Sequence, residues 1–181
     1  MQRSLLVYAI GLVMIAACND AGRTLTSPSA SPSLARDGSG GNPHFIYADA
    51  SLSNDGVGHV AWKEAGLSSG SAIDYRASAD GQATYACING GAKNPNAANK
   101  RTINAQVTAE GTFVVKNGNV VASLDFGVPG PGDFECPSGQ RRVLADVAYS
   151  NIQLDDLTTP LSADVDPTSL GPLVLIDLSG L

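Results

Sequence analysis

Short runs in which apolar and polar residues alternate dominate the chain from Pro43 onward, and glycine, asparagine, aspartate and proline separate them. Ile73–Ala79 and Ile103–Ala109 are two of these runs, each with an apolar residue at every second position. Successive side chains of a β-strand point to opposite faces, so this alternation predicts strands with one face in a core. Roughly seven or eight such runs without a long helical pattern predict an all-β antiparallel β-sandwich, with a small β-barrel as the alternative.

The dipeptides between the runs predict how neighbouring strands connect. Asn117-Gly118 is the strongest hairpin signal, because both central positions of a type I′ turn need a positive φ. Asp80-Gly81 and Ser150-Asn151 predict two further links between neighbouring strands. In the last long run, four apolar residues are expected to share the core-facing side: Val143, Ala145, Val147 and Tyr149.

An uncharged apolar stretch, Leu5–Ala17, follows Arg3 and ends at Cys18. It is shorter than the roughly 20 residues that cross a bilayer as a helix, so it predicts a signal peptide over residues 1–17 rather than a membrane span. Ile15-Ala16-Ala17-Cys18 resembles the lipobox of bacterial lipoproteins, in which a small residue precedes a cysteine that becomes the acylated N-terminus. The resemblance implies that Cys18 carries lipid and that the membrane is a partner through this anchor. Plain secretion is the alternative.

The segment that follows the anchor, residues 18–42, is rich in serine, proline and glycine and has no apolar periodicity. Such a segment cannot bury enough apolar surface to fold, which predicts a flexible tether. We expect the sandwich over residues 43–166. The apolar residues 167–181 are expected to form either an edge strand, at Leu173–Leu178, or a loosely attached end.

The remaining cysteines, Cys87 and Cys136, are the only two left once Cys18 is lipidated. An exported protein folds in an oxidising compartment, so we expect these two residues to form a disulfide. The disulfide would supplement a core that is built largely from small residues. A metal site or a redox pair is the alternative, but no histidine lies near either cysteine in the sequence.

The charge of the chain excludes one class of partner. Seventeen acidic and eleven basic residues give a formal net charge of −6, so the protein repels the phosphates of nucleic acids at long range. A nucleic-acid partner is therefore not expected. We also expect no cofactor. The acidic residues concentrate in Val143–Leu181, which contains no lysine or arginine.

One motif points to hydrolase chemistry. Gly66-Leu67-Ser68-Ser69-Gly70 matches the G-x-S-x-G pattern in which a strained turn between strand and helix exposes a nucleophilic serine. That chemistry takes its histidine from later in the chain, whereas His44 and His59 both precede Ser68. We therefore interpret the motif as a loop between strands. A small hydrolase acting on envelope polymers remains the alternative function, with His44, His59 and Ser68 as its candidate groups.

Two further groups of side chains could bind a ligand. Four aspartates, as hard oxygen ligands, could hold calcium, but they lack the spacing of an EF-hand, so we expect a solvated acidic loop. These aspartates are Asp155, Asp156, Asp164 and Asp166. Among the aromatic residues, Trp62 and Tyr47 are expected to be exposed, since Tyr75, Tyr85 and Tyr149 fall on core faces.

The long polar segment from Asn89 to Lys100 is the most unusual part of the body. Its length and its asparagines are typical of a loop that hydrogen-bonds its own backbone. We expect any partner to contact it through Asn89, Lys93, Asn96, Asn99 and Lys100.

Two cysteine-bearing strings carry a second resemblance. Cys87 begins a segment with Asn-Gly-Gly and Ala-Ala-Asn-Lys, and Cys136 begins Cys-Pro-Ser-Gly-Gln. In this order, over roughly Val60–Leu154, they resemble small exported bacterial proteins of unassigned activity. The resemblance implies a β-sandwich and a disulfide and carries over no catalytic residue.

Together these features predict an exported lipoprotein of the cell envelope, held at the outer membrane or cell surface. Its body would be a β-sandwich that serves as a binding or structural module, because loops on a rigid scaffold commonly carry the partner site. The partner would be a protein or a glycan, and the sequence does not distinguish between them. Secretion without an anchor is the alternative localisation, and a small envelope-polymer hydrolase is the alternative function.

Overall fold

The computed structural model describes residues 41–89 and 99–176, and no helix in these two ranges is long and apolar enough to cross a membrane. The described residues form a sandwich of two antiparallel sheets, as the alternation predicts, and the sheets do not close into a barrel. The eight strands are β1 (His44–Leu52), β2 (Gly58–Ala65), β3 (Ala72–Asn89), β4 (Lys100–Val114), β5 (Asn119–Phe126), β6 (Gln140–Asp156), β7 (Leu161–Ala163) and β8 (Leu170–Val174).

The two sheets differ in size. The short sheet has the order β1-β2-β5. The long sheet has the order β4-β3-β6-β7, and β8 pairs with another part of β6. Strands β3 and β6 are 18 and 17 residues long, whereas the strands of the short sheet have 8 or 9 residues. The long sheet therefore continues past the end of the short one.

The core lies between the two sheets and is centred on aromatic rings. Trp62 of β2 packs against Tyr75 of β3 and Phe113 of β4, with ring centroids 4.8 and 5.3 Å away. Phe126 and Tyr149 form a second contact at 4.9 Å. Such rings bury a large apolar area and interlock the sheets. Trp62 is 0% exposed, so its predicted exposure is wrong: on β2 it occupies an inward position between two other inward residues.

Both predicted links inside the long strands are wrong. Asp80-Gly81 lies within β3, where Gly81 leaves room for a loop: a Cβ there would lie 2.7 Å from the Pro129 side chain. Ser150-Asn151 lies within β6 at a β-bulge, and Asn151 has a φ of 52°. The glycine allows a loop to approach the strand closely, and the asparagine allows a bulge. In the sequence, neither use can be told from a turn, because turns favour the same two residues.

A second bulge in β6 changes which side chains face the core. Thr84 of β3 pairs with Asp146, but Tyr85 pairs with Leu144, so Ala145 is the additional residue. Val147 and Tyr149 belong to the main core, whereas Val143 and Ala145 pack on the opposite face. The predicted common face is therefore wrong, because one extra residue reverses the alternation.

We call the part of the long sheet beyond the short sheet the extension; it comprises residues 84–89 of β3, 100–102 of β4 and 140–146 of β6. The connection 127–139 covers one face of it. The Cys87–Cys136 disulfide joins them, with the two Cα atoms 5.5 Å apart, and the predicted pairing is confirmed. On the other face Ala86, Ile88, Val143 and Ala145 form a small cluster against which Ile176 packs.

The Asn117-Gly118 turn connects the two sheets. Both residues have positive φ, 50° and 75°, and Lys116 and Asn119 exchange two backbone hydrogen bonds. The turn prediction is correct, but the hairpin prediction is wrong. Strand β4 pairs with β3 in the long sheet and β5 pairs with β2 in the short one, so the turn forms a corner of the sandwich.

Of the two alternatives for the C-terminal segment, the structure has the strand. Leu170–Val174 form β8, which starts three residues earlier than the predicted Leu173–Leu178. The N–H groups of Leu175 and Ile176 then bond to the carbonyl of Ala145. The predicted signal peptide, Cys18 and residues 18–40 of the predicted tether lie outside the described residues, as do residues 177–181.

Candidate functional site

The three candidate hydrolase groups do not come together. His44 starts β1 opposite Ala65, whereas His59 lies six residues away from Ala65 along β2, about 20 Å at roughly 3.3 Å per residue. Ser68 lies in the loop between β2 and β3, and its carbonyl accepts a hydrogen bond from Ser71 Oγ at 2.6 Å. No catalytic unit forms from His44, His59 and Ser68.

His59 instead lies in a row with two other polar residues on the outer face of the short sheet. Ser51 of β1 is the register partner of His59, and Asp125 of β5 is its partner on the other side. Directly opposite residues on antiparallel strands have Cβ atoms about 4.5–5.5 Å apart, close enough for their side chains to interact. His59 Nδ1 donates a hydrogen bond to the Asp125 carboxylate.

This row borders an open groove of about 410 Å³ at the end of the short sheet. We call it the His59 groove; its lining residues are Ser51, Leu52, Ser53, Asp55, Val57, His59 and Asp125. The lining includes two hydroxyl groups, two carboxyl groups and one imidazole, together with two aliphatic side chains. Nearly all of its polar atoms other than the imidazole can accept a hydrogen bond from a ligand.

The turn between β1 and β2 shapes the other wall of the groove. Ser53 Oγ donates to Asp55 Oδ1 at 2.5 Å and accepts from the Val57 N–H at 2.9 Å. The hydrogen bond from Ser53 is the main cause that lowers the pKa of Asp55, so this carboxylate is ionised. From the core, Tyr149 Oη donates to the Gly56 carbonyl at 2.8 Å, which ties the turn to the long sheet.

The arrangement leaves His59 Nε2 as a base. Because the carboxylate of Asp125 accepts the Nδ1 proton, a neutral His59 has its lone pair on Nε2. A serine, a histidine and an aspartate in a row resemble the groups of nucleophilic hydrolysis. The side chains of His59 and Asp125 are, however, 40% and 65% exposed, so solvent screens the pair and weakens stabilisation of developing charge. This exposure is unfavourable for catalysis by the row.

A second polar cluster, which the sequence reasoning missed, lies inside the sandwich. Glu64 of β2 is fully buried, and its Oε2 accepts a hydrogen bond from Tyr75 Oη at 2.8 Å. Burial raises the pKa of Glu64 most strongly; the Tyr75 bond lowers it and the nearby Asp156 raises it further. Glu64 Oε1 and Trp62 Nε1 are buried without a hydrogen-bond partner among the described residues. The signal in the sequence is a glutamate at an inward position of β2.

The four predicted acidic residues have different environments. Asp156 is buried at the end of β6 and accepts hydrogen bonds from the N–H groups of Thr158 and Thr159, at 2.7 and 2.9 Å. Asp155 accepts one from Ser162 Oγ at 2.6 Å. Asp155 and Asp156 therefore terminate a strand, and the expectation of a solvated loop is wrong for these two. Asp164 and Asp166 are exposed between β7 and β8, as expected. Within residues 41–89 and 99–176, no three His, Cys, Asp or Glu side chains are placed to hold a metal ion.

The ends of the predicted partner loop belong to the sheet. Asn89 is the exposed last residue of β3, and Lys100 is the first residue of β4. Asn99 Nδ2 donates to Gln140 Oε1 at 3.4 Å, a long hydrogen bond. Lys93 and Asn96 lie outside the described residues.

Comparison with known proteins adds no analogy to this geometry. No protein-family model matches the chain, and neither the search of curated proteins nor the search of solved structures finds a match.

Proposed function

We propose that the chain is an exported lipoprotein, anchored in the cell envelope through Cys18, whose sandwich is a binding module with the His59 groove as its ligand site. The observation that carries the proposal is the Cys87–Cys136 disulfide. Stable disulfides form in exported proteins and are rare in the cytosol, so the disulfide supports an oxidising compartment. The apolar stretch Leu5–Ala17 and the lipobox-like residues before Cys18 agree with this route.

The chemistry of the groove favours a ligand rich in hydroxyl groups. The carboxylates of Asp55 and Asp125 are acceptors, and the Ser51 hydroxyl can accept as well. Leu52 and Val57 provide a small apolar contact. A sugar ring presents both hydroxyl donors and C–H surface, so a glycan of the envelope fits this lining better than an anionic ligand, which the carboxylates would repel.

The anchor is tested by intact-mass spectrometry of the protein purified from its native membrane fraction. We expect the mass of a chain that begins at Cys18 and carries acyl groups, and a gain of two hydrogens on reduction of the Cys87–Cys136 bond. Cys18→Ser is the matched variant, and it should appear in the soluble exported fraction. An unacylated chain in the cytosol, with both thiols free, would contradict the anchor and the export.

The ligand site is tested by titrating the protein with uncharged oligosaccharides of N-acetylglucosamine, one of the two sugars of peptidoglycan, and following backbone amide shifts. We expect shifts at Ser51, His59 and Asp125, and a loss of binding of about tenfold for Asp125→Asn, because one charged acceptor is removed. Asp133→Asn is the matched control; Asp133 is exposed in the connection 127–139. Equal loss in both variants, or shifts confined to other surfaces, would rule out the groove.

The row Ser51, His59 and Asp125 favours hydrolysis of envelope polymers as the second candidate function. In that case His59 would take the proton of the Ser51 hydroxyl while Asp125 orients the imidazole. We would then expect Ser51→Ala and His59→Ala each to abolish turnover of an ester or amide substrate. His44→Ala and Ser68→Ala should leave turnover unchanged. Full activity of Ser51→Ala would eliminate this mechanism.

A further inference from the structure

In the part of the chain that the structure describes, strand β4 lies at an edge of the long sheet. Within residues 41–89 and 99–176, β3 is the only strand hydrogen-bonded to it along its length. β4 has 15 residues, no proline and no register shift against β3. Its outer side therefore presents a regular row of backbone donors and acceptors. Edges of this kind accept a further strand unless prolines, bulges or unpaired charges oppose it.

The sequence of β4 is complementary to itself in one antiparallel register. A two-fold axis through Ala105 places residues at equal distances from Ala105 opposite one another. The pairs between two copies are then Lys100 with Glu110, Arg101 with Ala109, Thr102 with Thr108, Ile103 with Val107, Asn104 with Gln106, and Ala105 with itself. Opposite charges, two threonines and two β-branched apolar residues are favourable cross-strand pairs.

The inner face of β4 gains cover in this register. Val107 packs against the core and is half-buried. Ile103 is also half-buried, and Ala105 between them is exposed. A second copy would place Val107 beside Ile103 at two symmetric positions and Ala105 beside Ala105. The apolar side of β4 would then continue into the second copy, and the exposed edge of β4 would be covered.

The outer face carries the charge complementarity. Arg76 of β3 lies between Asp155 of β6 and Glu110 of β4, and Arg76 Nε donates to Glu110 Oε1 at 2.7 Å. The symmetric register places Lys100 of the second copy on the far side of Glu110. Four neighbouring strands would then present charges of alternating sign, and the described residues offer Lys100 no ion pair within one chain.

Neighbouring registers lose this match. An axis through Asn104 places Arg101 opposite Val107, and an axis through Gln106 places Lys100 opposite Thr112. We propose that β4 is a dimerisation edge, at which two copies of the chain pair antiparallel about Ala105 to form one continuous sheet. The proposal does not depend on the ligand or on the membrane anchor.

Cysteine cross-linking of the full chain tests the register, in a Cys18→Ser background that leaves Cys87 and Cys136 as the only native cysteines. Ala105→Cys places two thiols across the axis, within the Cα separation that a disulfide allows between paired strands. Ala109→Cys is the matched control on the same strand and face. The two cysteines would be about 27 Å apart at roughly 3.4 Å per residue, too far for a disulfide. We expect a covalent dimer on a non-reducing gel for Ala105→Cys only.

Sedimentation equilibrium tests the charge match in the same background. Lys100→Glu places like charges opposite Glu110 twice per dimer, and we expect the dissociation constant to rise about tenfold. Lys63→Glu, the same change on the outer face of the short sheet, should leave it unchanged. A monomer at every concentration, equal cross-linking at residues 105 and 109, stronger cross-linking for Gln106→Cys, or a dimer insensitive to Lys100→Glu would overturn the proposal.

Discussion

Along β3, Ile73, Tyr75, Ala77 and Ala79 pack in the core between the two sheets, whereas residues 84–89 belong to the extension and are covered by the connection 127–139. The first part is held by aromatic rings from both sheets, including Trp62 and Tyr75. The second part has a small cluster of alanine, valine and isoleucine side chains, and it has the disulfide. The difference shows that a covalent bond and a few polar contacts replace apolar area where no second sheet is present.

Three polar contacts join the extension to the connection 127–139. Tyr85 Oη donates to the Pro129 carbonyl at 2.7 Å, and Arg142 donates to the Phe134 carbonyl at 2.6 Å. Arg101 pairs with Asp133 at 2.7 Å. Each contact fixes one point of a segment that has no strand of its own, and the disulfide prevents the segment from leaving the sheet.

The largest effect is expected in the aromatic half. Trp62→Ala removes a fully buried ring that contacts Tyr75 and Phe113, so we expect a loss of about 4 kcal/mol in the free energy of unfolding. Urea denaturation followed by circular dichroism measures it. Tyr47→Ala, at an exposed position of the same sheet, is the control and should cost far less. Similar losses for both variants would mean that the ring does not dominate the core.

The disulfide should rank second. Cys87→Ala with Cys136→Ala removes the cross-link of a 49-residue separation, and we expect a loss of about 3 kcal/mol. Hydrogen exchange should accelerate most in the connection 127–139. The amides near Trp62 should still exchange only through global unfolding, at the rate that the reduced stability sets. Uniform acceleration across both halves would contradict the division between them.

Glu64 provides the third test, through pH. Burial raises its pKa above the ordinary value of 4.5, so the folded state binds the proton more tightly than the unfolded state. The resulting stability is fully present below pH 4.5 and is lost as the pH rises through the folded-state pKa. Glu64→Gln cannot ionise, so its stability relative to wild type should increase as the pH rises. Urea midpoints across this range measure the effect, and the exposed Glu135→Gln should retain the wild-type slope.

The smallest effect is expected at the surface of the extension. Arg101 and Asp133 are 47% and 85% exposed, so Asp133→Ala should cost less than about 1 kcal/mol, and added salt should reduce the difference further. The urea midpoint at low and high salt measures this. A cost as large as that of removing the disulfide would show that the ion pair, rather than the cross-link, holds the connection.

The alternation of apolar residues was sufficient to predict the sandwich and most of its core. Ile73, Tyr75, Ala77 and Ala79 are buried as their period predicts. The bulge at Ala145 was not predictable, because the extra residue leaves the sequence pattern intact and shows only in the pairing with β3. Trp62 was misplaced because Lys63 and Glu64 obscure the alternation of β2, although Val60, Trp62 and Glu64 keep the period.

The candidate site was less predictable than the fold. His59 is visible in the sequence as one of two histidines, but Ser51 and Asp125 become its neighbours only through the register of three strands. Two of these strands are far apart in the chain, and no local pattern specifies how they align. The disulfide was predictable for a different reason: if the chain is exported and Cys18 is lipidated, only Cys87 and Cys136 remain to pair, so composition and the expected compartment were enough.

The length of β3 sets the distance between the two ends of the long sheet. The chain enters the sandwich at His44, beside Ala65 and close to the start of β3, and Cys87 lies fifteen residues along that strand. At roughly 3.3 Å per residue, this places the cross-linked tip about 50 Å from the point of entry. The N-terminal end of the described sandwich and its disulfide-linked end therefore lie at opposite ends of the long sheet.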